Sequence, residues 1–245
     1  PEGPPLAPGK PLYRIWVISR LLPRACWFFG VFSMSNQELK QTGTTTTALV
    51  CKDGIVVATE HRATAGTLIA HKKTQKLFKI DENLALTVAG LVGDAQTLAR
   101  YITAEAELYR LKRNQPMSVK AASTLMANIL SGRSYYPYWV QLIIAGVDDS
   151  GGHVYSLDAA GGNIEDEYVS TGSGSPYVYG VLEDHFKSGL TTSEGADLVI
   201  RAITAAMARD SASGNGVEVA IITKKGFNLL TDKQVEERAK KMGLN

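Results

Sequence analysis

The chain places a glycine, Gly43, directly ahead of four consecutive threonines, Thr44 to Thr47. Threonine is a good strand former, so the run could be a strand with no chemical task. The glycine opens a second reading. If the Gly43–Thr44 bond were cut, Thr44 would carry both a hydroxyl and a free α-amine whose ordinary pKa is about 7.7 to 8.0. That amine could take the proton from its own hydroxyl, so the nucleophile would bring its own base. No histidine is then needed. None of His61, His71, His153 and His185 has a ligand-spaced partner, which argues against a zinc site. Gly172-Ser173-Gly174-Ser175 only superficially resembles a nucleophile elbow, because it lacks the strand-to-helix context and the Asp and His that should follow. It also lacks the Lys-Ser/Thr ending of a phosphate loop, and Gly151-Gly152 and Gly161-Gly162 read as turns.

The surrounding pattern supplies elements to position such a group. From Thr44 to Ile80 the chain is rich in Thr, Val and Ile, and Lys52-Asp53-Gly54 divides two runs as strand, tight turn, strand. Leu84 to Val88 is another apolar run. Leu98, Tyr101, Ile102, Ala104, Leu108 and Leu111 then predict the inward stripe of a helix ending before Pro116. A second helix is expected from Val119, Ala122, Leu125, Met126, Ile129 and Leu130, stopping near Gly132. Val140 to Gly146 and His153 to Leu157 read as strands around the turn residues 148–152. A short helix is expected over about Tyr177 to Phe186. The next begins at a capping box, Thr191 with Glu194, and carries Val199, Ala202, Ile203, Ala206 and Met207 inward. Strands at Val217 to Thr223 and Phe227 to Leu230 precede a charged helix from Asp232. Grouping strands, two helices, strands, two helices, strands excludes a doubly wound parallel sheet and predicts antiparallel sheets with helices packed outside. There is no internal repeat.

Composition separates the first 33 residues from the rest. They hold six of the nine prolines, two of the three tryptophans and three of the six phenylalanines, and they carry Lys10, Arg14, Arg20 and Arg24 against Glu2 alone. The formal charge of +2 on the 245 residues therefore belongs to this leader. Arg14, Arg20, Pro23 and Arg24 interrupt its apolar stretch before a membrane span of about 18 residues accumulates. Met34 has the look of a start, so residues 1–33 are expected to be an atypical leader, not part of the native protein. The remainder is near neutral, which gives no global reason to expect nucleic acid or an anionic membrane. Cys26 and Cys51 could make at most one bridge, and a reducing compartment is the simpler expectation.

From Thr44 onward the sequence resembles proteasome beta subunits, particularly the archaeal catalytic kind. The resemblance rests on Thr-Thr-Thr-Thr-Ala-Leu-Val-Cys-Lys-Asp-Gly (44–54), Ala-Thr-Glu-His-Arg-Ala-Thr (58–64), Val-Ala-Gly-Leu-Val-Gly-Asp-Ala-Gln (88–96), Gly-Ser-Gly-Ser (172–175) and Arg-Asp-Ser-Ala-Ser-Gly (209–214), which occur in family order and spacing. It implies an α+β fold, the four-layer αββα sandwich of N-terminal nucleophile hydrolases, with residues 34–43 as a propeptide and 44–245 as a threonine peptidase domain. Thr44 becomes the nucleophile released by autocatalytic cleavage after Gly43. Lys76 becomes the ammonium beside it and Glu60 the lysine's acid, where much of the family has Asp. Asp210 with Ser211 or Ser213, of which Ser213 is favoured, orients the threonine amine, and Ser173 completes that network. The backbone N–H of Gly90 becomes the oxyanion donor. Ala63, Thr64, Thr74, Val88 and Val92 fall on the substrate pocket and imply preference for an apolar residue before the cut. Each has a plainer alternative: Lys76 stands among Lys72, Lys73 and Lys79, a run that on its own reads as a solvated face.

The resemblance further implies a cytoplasmic particle without metal or cofactor. In it, seven-membered beta rings stack against alpha subunits, an ATP-dependent unfoldase controls entry, and unfolded polypeptide is degraded inside. The competing expectations are a non-catalytic structural ring subunit and a bacterial two-component threonine peptidase. A binding module working through the basic leader is a third.

Overall fold

The structure, a computed structural model, describes residues 43–244. The leader 1–33 and most of the expected propeptide lie outside the described residues, as does Cys26. Two five-stranded antiparallel sheets form the body. The first runs β10 (Tyr168–Gly172), β1 (Thr45–Cys51), β2 (Gly54–Glu60), β11 (Val217–Thr223) and β12 (Gly226–Leu229), in that spatial order. The second runs β5 (Leu77–Asp81), β6 (Leu84–Gly90), β7 (Val140–Asp148), β8 (Gly151–Leu157) and β9 (Asn163–Glu165). A small hairpin, β3 (Ala63–Ala65) with β4 (Leu68–His71), stands apart.

Strand alternation assigns the faces. Ala48, Ile55, Val57 and Ala220 of the first sheet meet Ala85, Ile143, Ala145 and Val154 of the second in a shared inner layer. Leu49, Val56, Ala58 and Val219 point the other way, against α3 (Ser175–His185), α4 (Thr192–Met207) and α5 (Asp232–Lys241). Leu84, Leu86, Leu142 and Ile144 of the second sheet pack under α1 (Val92–Arg113) and α2 (Val119–Ser131). The order is therefore helices, sheet, sheet, helices, the expected four-layer αββα arrangement. Each fully buried Leu or Ile contributes about 1.5 to 3 kcal/mol relative to exposure. Cys51 is one of the buried residues facing α4, and burial pushes its thiol up to about 12.

Helix ends follow their sequence signals. Thr191 and Glu194 form both bonds of the expected capping box, and Thr231 with Gln234 repeats the device at α5. The inward stripe of α1 differs from expectation. Its buried residues are Ala95, Leu98, Ala99, Ile102 and Ala106, whereas Tyr101, Ala104, Leu108 and Leu111 of the expected stripe are exposed. Apolar residues lie all round this helix, and the face against the sheet combines Leu98 and Ile102 with Ala95, Ala99 and Ala106. Four pairing elements go beyond the sequence expectation: the β3–β4 hairpin, β5, β9 and β10. Because β10 leads through Ser173 and Gly174 into α3, the Gly-Ser-Gly-Ser run does stand between a strand and a helix, contrary to expectation. Among the described residues no helix is long and apolar enough to cross a membrane.

Candidate active site

Thr44 precedes β1 at the end of the sandwich, and strand alternation places it on the same inner face as Thr46 and Ala48. It is buried, and its hydroxyl donates to the carbonyl oxygen of Gly43 at 2.7 Å. Its backbone N–H donates to Ser173 Oγ at 3.2 Å. The Ser173 hydroxyl in turn donates to Asp210 Oδ2 at 2.6 Å. Ser213 Oγ donates to the same carboxylate oxygen at 2.6 Å and meets Thr45 Oγ1 at 2.6 Å. Ser213 thus belongs to the Asp210 network but reaches it beside Thr45. Ser211 contributes its carbonyl, which accepts from Arg62 Nη1 at 2.7 Å.

The second charged group comes from β2 and the segment leading into β5. Lys76 Nζ forms an ion pair with Glu60 Oε1 and also donates to the carbonyl of Arg62. Glu60 is fully buried and Lys76 is 5% exposed, so this lysine is no part of a solvated face. The carboxylate is otherwise satisfied by backbone: Thr45 N at 3.2 Å, Arg62 N at 2.6 Å and Gly214 N at 3.0 Å. Burial lowers the Lys76 pKa from the usual lysine range, opposed by the Glu60 charge and hydrogen bond. A buried amine balanced in this way is a better proton acceptor than a surface lysine, and in its charged form it disfavours a second cation nearby.

Gly90 closes β6, opposite Val140. Val88 N–H donates to the Lys76 carbonyl at 3.0 Å, away from β7, while Leu91 N–H donates to the Trp139 carbonyl at 2.9 Å. Antiparallel alternation therefore points the N–H of Gly90 to the Lys76 side, where β5 has not yet begun. Gly90 has φ +130°, and a Cβ there would stand 2.0 Å from the Trp139 carbonyl oxygen. Only glycine can present that N–H at this approach.

The cleft is lined by Gly43, Thr44, Ala63, Thr64, Thr74, Gln75, Lys76, Val88, Gly90, Val92 and Ala95. It gathers all five sequence-predicted pocket residues with Thr44, Lys76 and Gly90. Ser173, Glu60, Asp210 and Ser213 lie behind Thr44 and Lys76. Thr64 Oγ1 accepts the N–H of Gly43 at 3.1 Å. Sequence reasoning missed the roles of Thr45 and Arg62. Strand alternation could have flagged Thr45, whose neighbour on the inner face is Thr44. Arg62 has no local signal, because its side chain spans to Ser211 and Asn215, the latter at 2.9 Å. Among the described residues no group of His, Cys, Asp and Glu is arranged to hold a metal ion.

The family described as "Proteasome subunit" matches residues 40–222. The proteasome subunit beta of Thermoplasma acidophilum is 53% identical over 210 residues, spanning 85% of this chain and 99% of the relative. That of Methanothermobacter thermautotrophicus is 51% identical over 204 residues, 83% of this chain and 97% of the relative. The protein of the same name from Methanosarcina barkeri is 52% identical over 195 residues, 79% and 92%.

Proposed function

Since the chain belongs to the proteasome subunit family, alongside archaeal beta subunits, we propose that it is a threonine endopeptidase that frees its own nucleophile by cutting Gly43–Thr44. The observation that carries this reading is the approach of the Thr44 hydroxyl to the carbonyl of Gly43 inside a cleft that also holds Lys76 and Gly90.

In the first step the Thr44 oxygen adds to the Gly43 carbonyl carbon as its proton passes to the neutral form of Lys76. The carbonyl oxygen becomes an oxyanion, for which the Gly90 N–H is the donor. Collapse breaks the bond to the Thr44 nitrogen, which takes a proton, and leaves Gly43 as an ester on the Thr44 oxygen. Water hydrolyses that ester, giving a free Gly43 carboxylate and a free Thr44 amine. A side chain on residue 43 would be excluded, because its Cβ would lie 1.9 Å from Ala212 Cβ and 2.8 Å from Ser173 Oγ.

The new amine stays beside Ser173, whose hydroxyl is held by Asp210. It then serves as base for the Thr44 hydroxyl, and the charged Lys76–Glu60 pair keeps it neutral. A substrate carbonyl is attacked, the oxyanion meets Gly90, an ester forms and water releases it. Val88, Val92, Ala63 and Ala95 offer apolar wall and Thr64 and Thr74 offer hydroxyls, with no uncommitted charge for a basic or acidic side chain. Among fluorogenic peptides ending in tyrosine, arginine and glutamate, the tyrosine peptide is expected to be cut fastest; a preference for arginine contradicts this pocket reading.

The working particle of this reading is cytoplasmic, with seven-membered beta rings beside alpha rings, fed with unfolded polypeptide by an ATP-dependent unfoldase. N-terminal sequencing of the assembled protein tests the central claim. A start at Thr44, lost in Thr44→Ala, supports the peptidase; a retained leader in the wild type points to the structural ring subunit instead.

A further inference from the structure

The groups of the proposed reaction stand on different sheets: Thr44 and Ser173 adjoin β1 and β10 of the first, and Gly90 ends β6 of the second. Their separation is therefore a property of how two sheets meet at one end of the sandwich. One layer inside, three buried hydroxyls tie the sheets together, since Thr87 donates to Thr46 at 3.0 Å and Thr46 meets Thr171 at 2.7 Å. At the level of the site itself the contact is narrower. Gly172, with φ +93°, is wedged so closely that a Cβ would lie 2.0 Å from the Thr44 carbonyl oxygen and 3.3 Å from Ala89 Cβ.

Gln141 spans this gap. It is opposite Ala89 in the β6–β7 register, one residue before the proposed oxyanion donor, and continues the inner-face series of Ile143, Ala145 and Val147. Its Oε1 accepts the backbone N–H of Gly172 at 3.0 Å. Gly172 is followed by Ser173, the partner of the Thr44 nitrogen. A side chain of the second sheet thus grips the backbone that carries a nucleophile-orienting residue of the first.

We infer that Gln141 is a positioning residue that sets the Thr44–Ser173 pair against the Gly90 N–H, acting through Gly172 and touching no substrate. Gln141 is absent from the lining of the cleft, so its loss spoils alignment in the transition state and leaves the substrate's walls intact. The inference rests on the proposed peptidase reading.

The test uses the assembled, processed protein and a tyrosine-ending fluorogenic peptide. Gln141→Ala removes the acceptor, Gln141→Met removes it while keeping the side-chain length, and Gln141→Glu keeps an acceptor oxygen. The Ala and Met variants are expected to lower kcat about tenfold, the value of one lost hydrogen bond at the upper end of its range, with KM within about twofold. The Glu variant is expected to stay within about threefold of wild type in kcat. Thermal midpoints of the assembled particles separate misalignment from unfolding, and if Ala does not assemble the Met variant carries the comparison. Unchanged kcat in Ala and Met, or a Glu variant as slow as Ala, overturns the inference. Hydrolysis that survives Thr44→Ala overturns the peptidase reading itself, a result distinct from Thr44-dependent hydrolysis that ignores residue 141.

Discussion

The two sheets contribute to the candidate site in different currencies. The first supplies side-chain chemistry: the Thr44 hydroxyl, the Glu60 carboxylate, and the Ser173 and Asp210 pair beside β10 and α4. The second supplies geometry, through the backbone N–H of Gly90, the apolar wall of Val88 and the clasp of Gln141. Lys76, just ahead of β5, joins the two by pairing with Glu60 while its carbonyl receives Val88 N–H. Functional groups can thus be divided between sheets when the interface between them is rigid. Here it is fixed by apolar packing in the middle and by hydroxyls near the site.

The difference makes the second sheet vulnerable to changes of shape and the first to changes of charge. Gly90→Ala should have the largest effect, because its Cβ collides with the Trp139 carbonyl and its φ is strained for any L side chain. Displacing the N–H should lower kcat by about 10²- to 10³-fold, measured on the tyrosine peptide; near-normal turnover would mean that the second sheet does not supply the oxyanion donor. Glu60→Gln removes charge with little change of shape. The Glu60 carboxylate raises the Lys76 pKa against the dominant lowering by burial, so its neutralisation should move the lysine further down. Activity that needs charged Lys76 is lost as pH rises through the Lys76 pKa. The alkaline limb of the kcat profile should therefore lie below the ordinary lysine value of about 10.4 in wild type and lower still in the variant. An unmoved or raised limb would detach that limb from Lys76. Thr87→Val cuts the hydroxyl tie but leaves Thr46 with Thr171. It should cost about 1 kcal/mol by denaturant titration and leave kcat within about twofold, the smallest of the three effects. A kcat loss as large as that of the glycine variant would place alignment in the inner seam.

The same division governs what the sequence could reveal. Thr44 after Gly43 was legible from its chemistry; Glu60 and Asp210 with its serines stand in runs that carry the family resemblance, whereas Lys76 lies outside those runs and was reached only through that resemblance. The helices and long strands were legible too, because hydrophobic period and capping residues are local. Gln141 was not, since its bond to Gly172 spans 31 residues and exists only once β7 and β10 meet across the inner layer. Strand β10 itself has few local cues: Tyr168–Gly172 follows three acidic residues and is an edge strand defined by its register against β1. The inward stripe of α1 departs from the sequence expectation at Tyr101, Ala104, Leu108 and Leu111, because apolar residues occur all round the helix and three- and four-residue spacing alone does not select the buried face. In the folded chain the face on the sheet mixes small and large residues, Ala95, Ala99 and Ala106 with Leu98 and Ile102, while Ala104 is exposed along with Tyr101, Leu108 and Leu111.

Gly43 has a further consequence for timing. With the bond intact, its N–H occupies the Thr64 hydroxyl and its carbonyl occupies the Thr44 hydroxyl, so Gly43 itself sits in the cleft as a tethered guest. Under the proposed reading the dormant form is already folded, and waking it requires no rearrangement of either sheet. The tether has a high effective concentration as long as it is covalent, and once the hydrolysed segment diffuses away that advantage is gone. The cut therefore works as a one-way latch, thrown once in the life of each subunit.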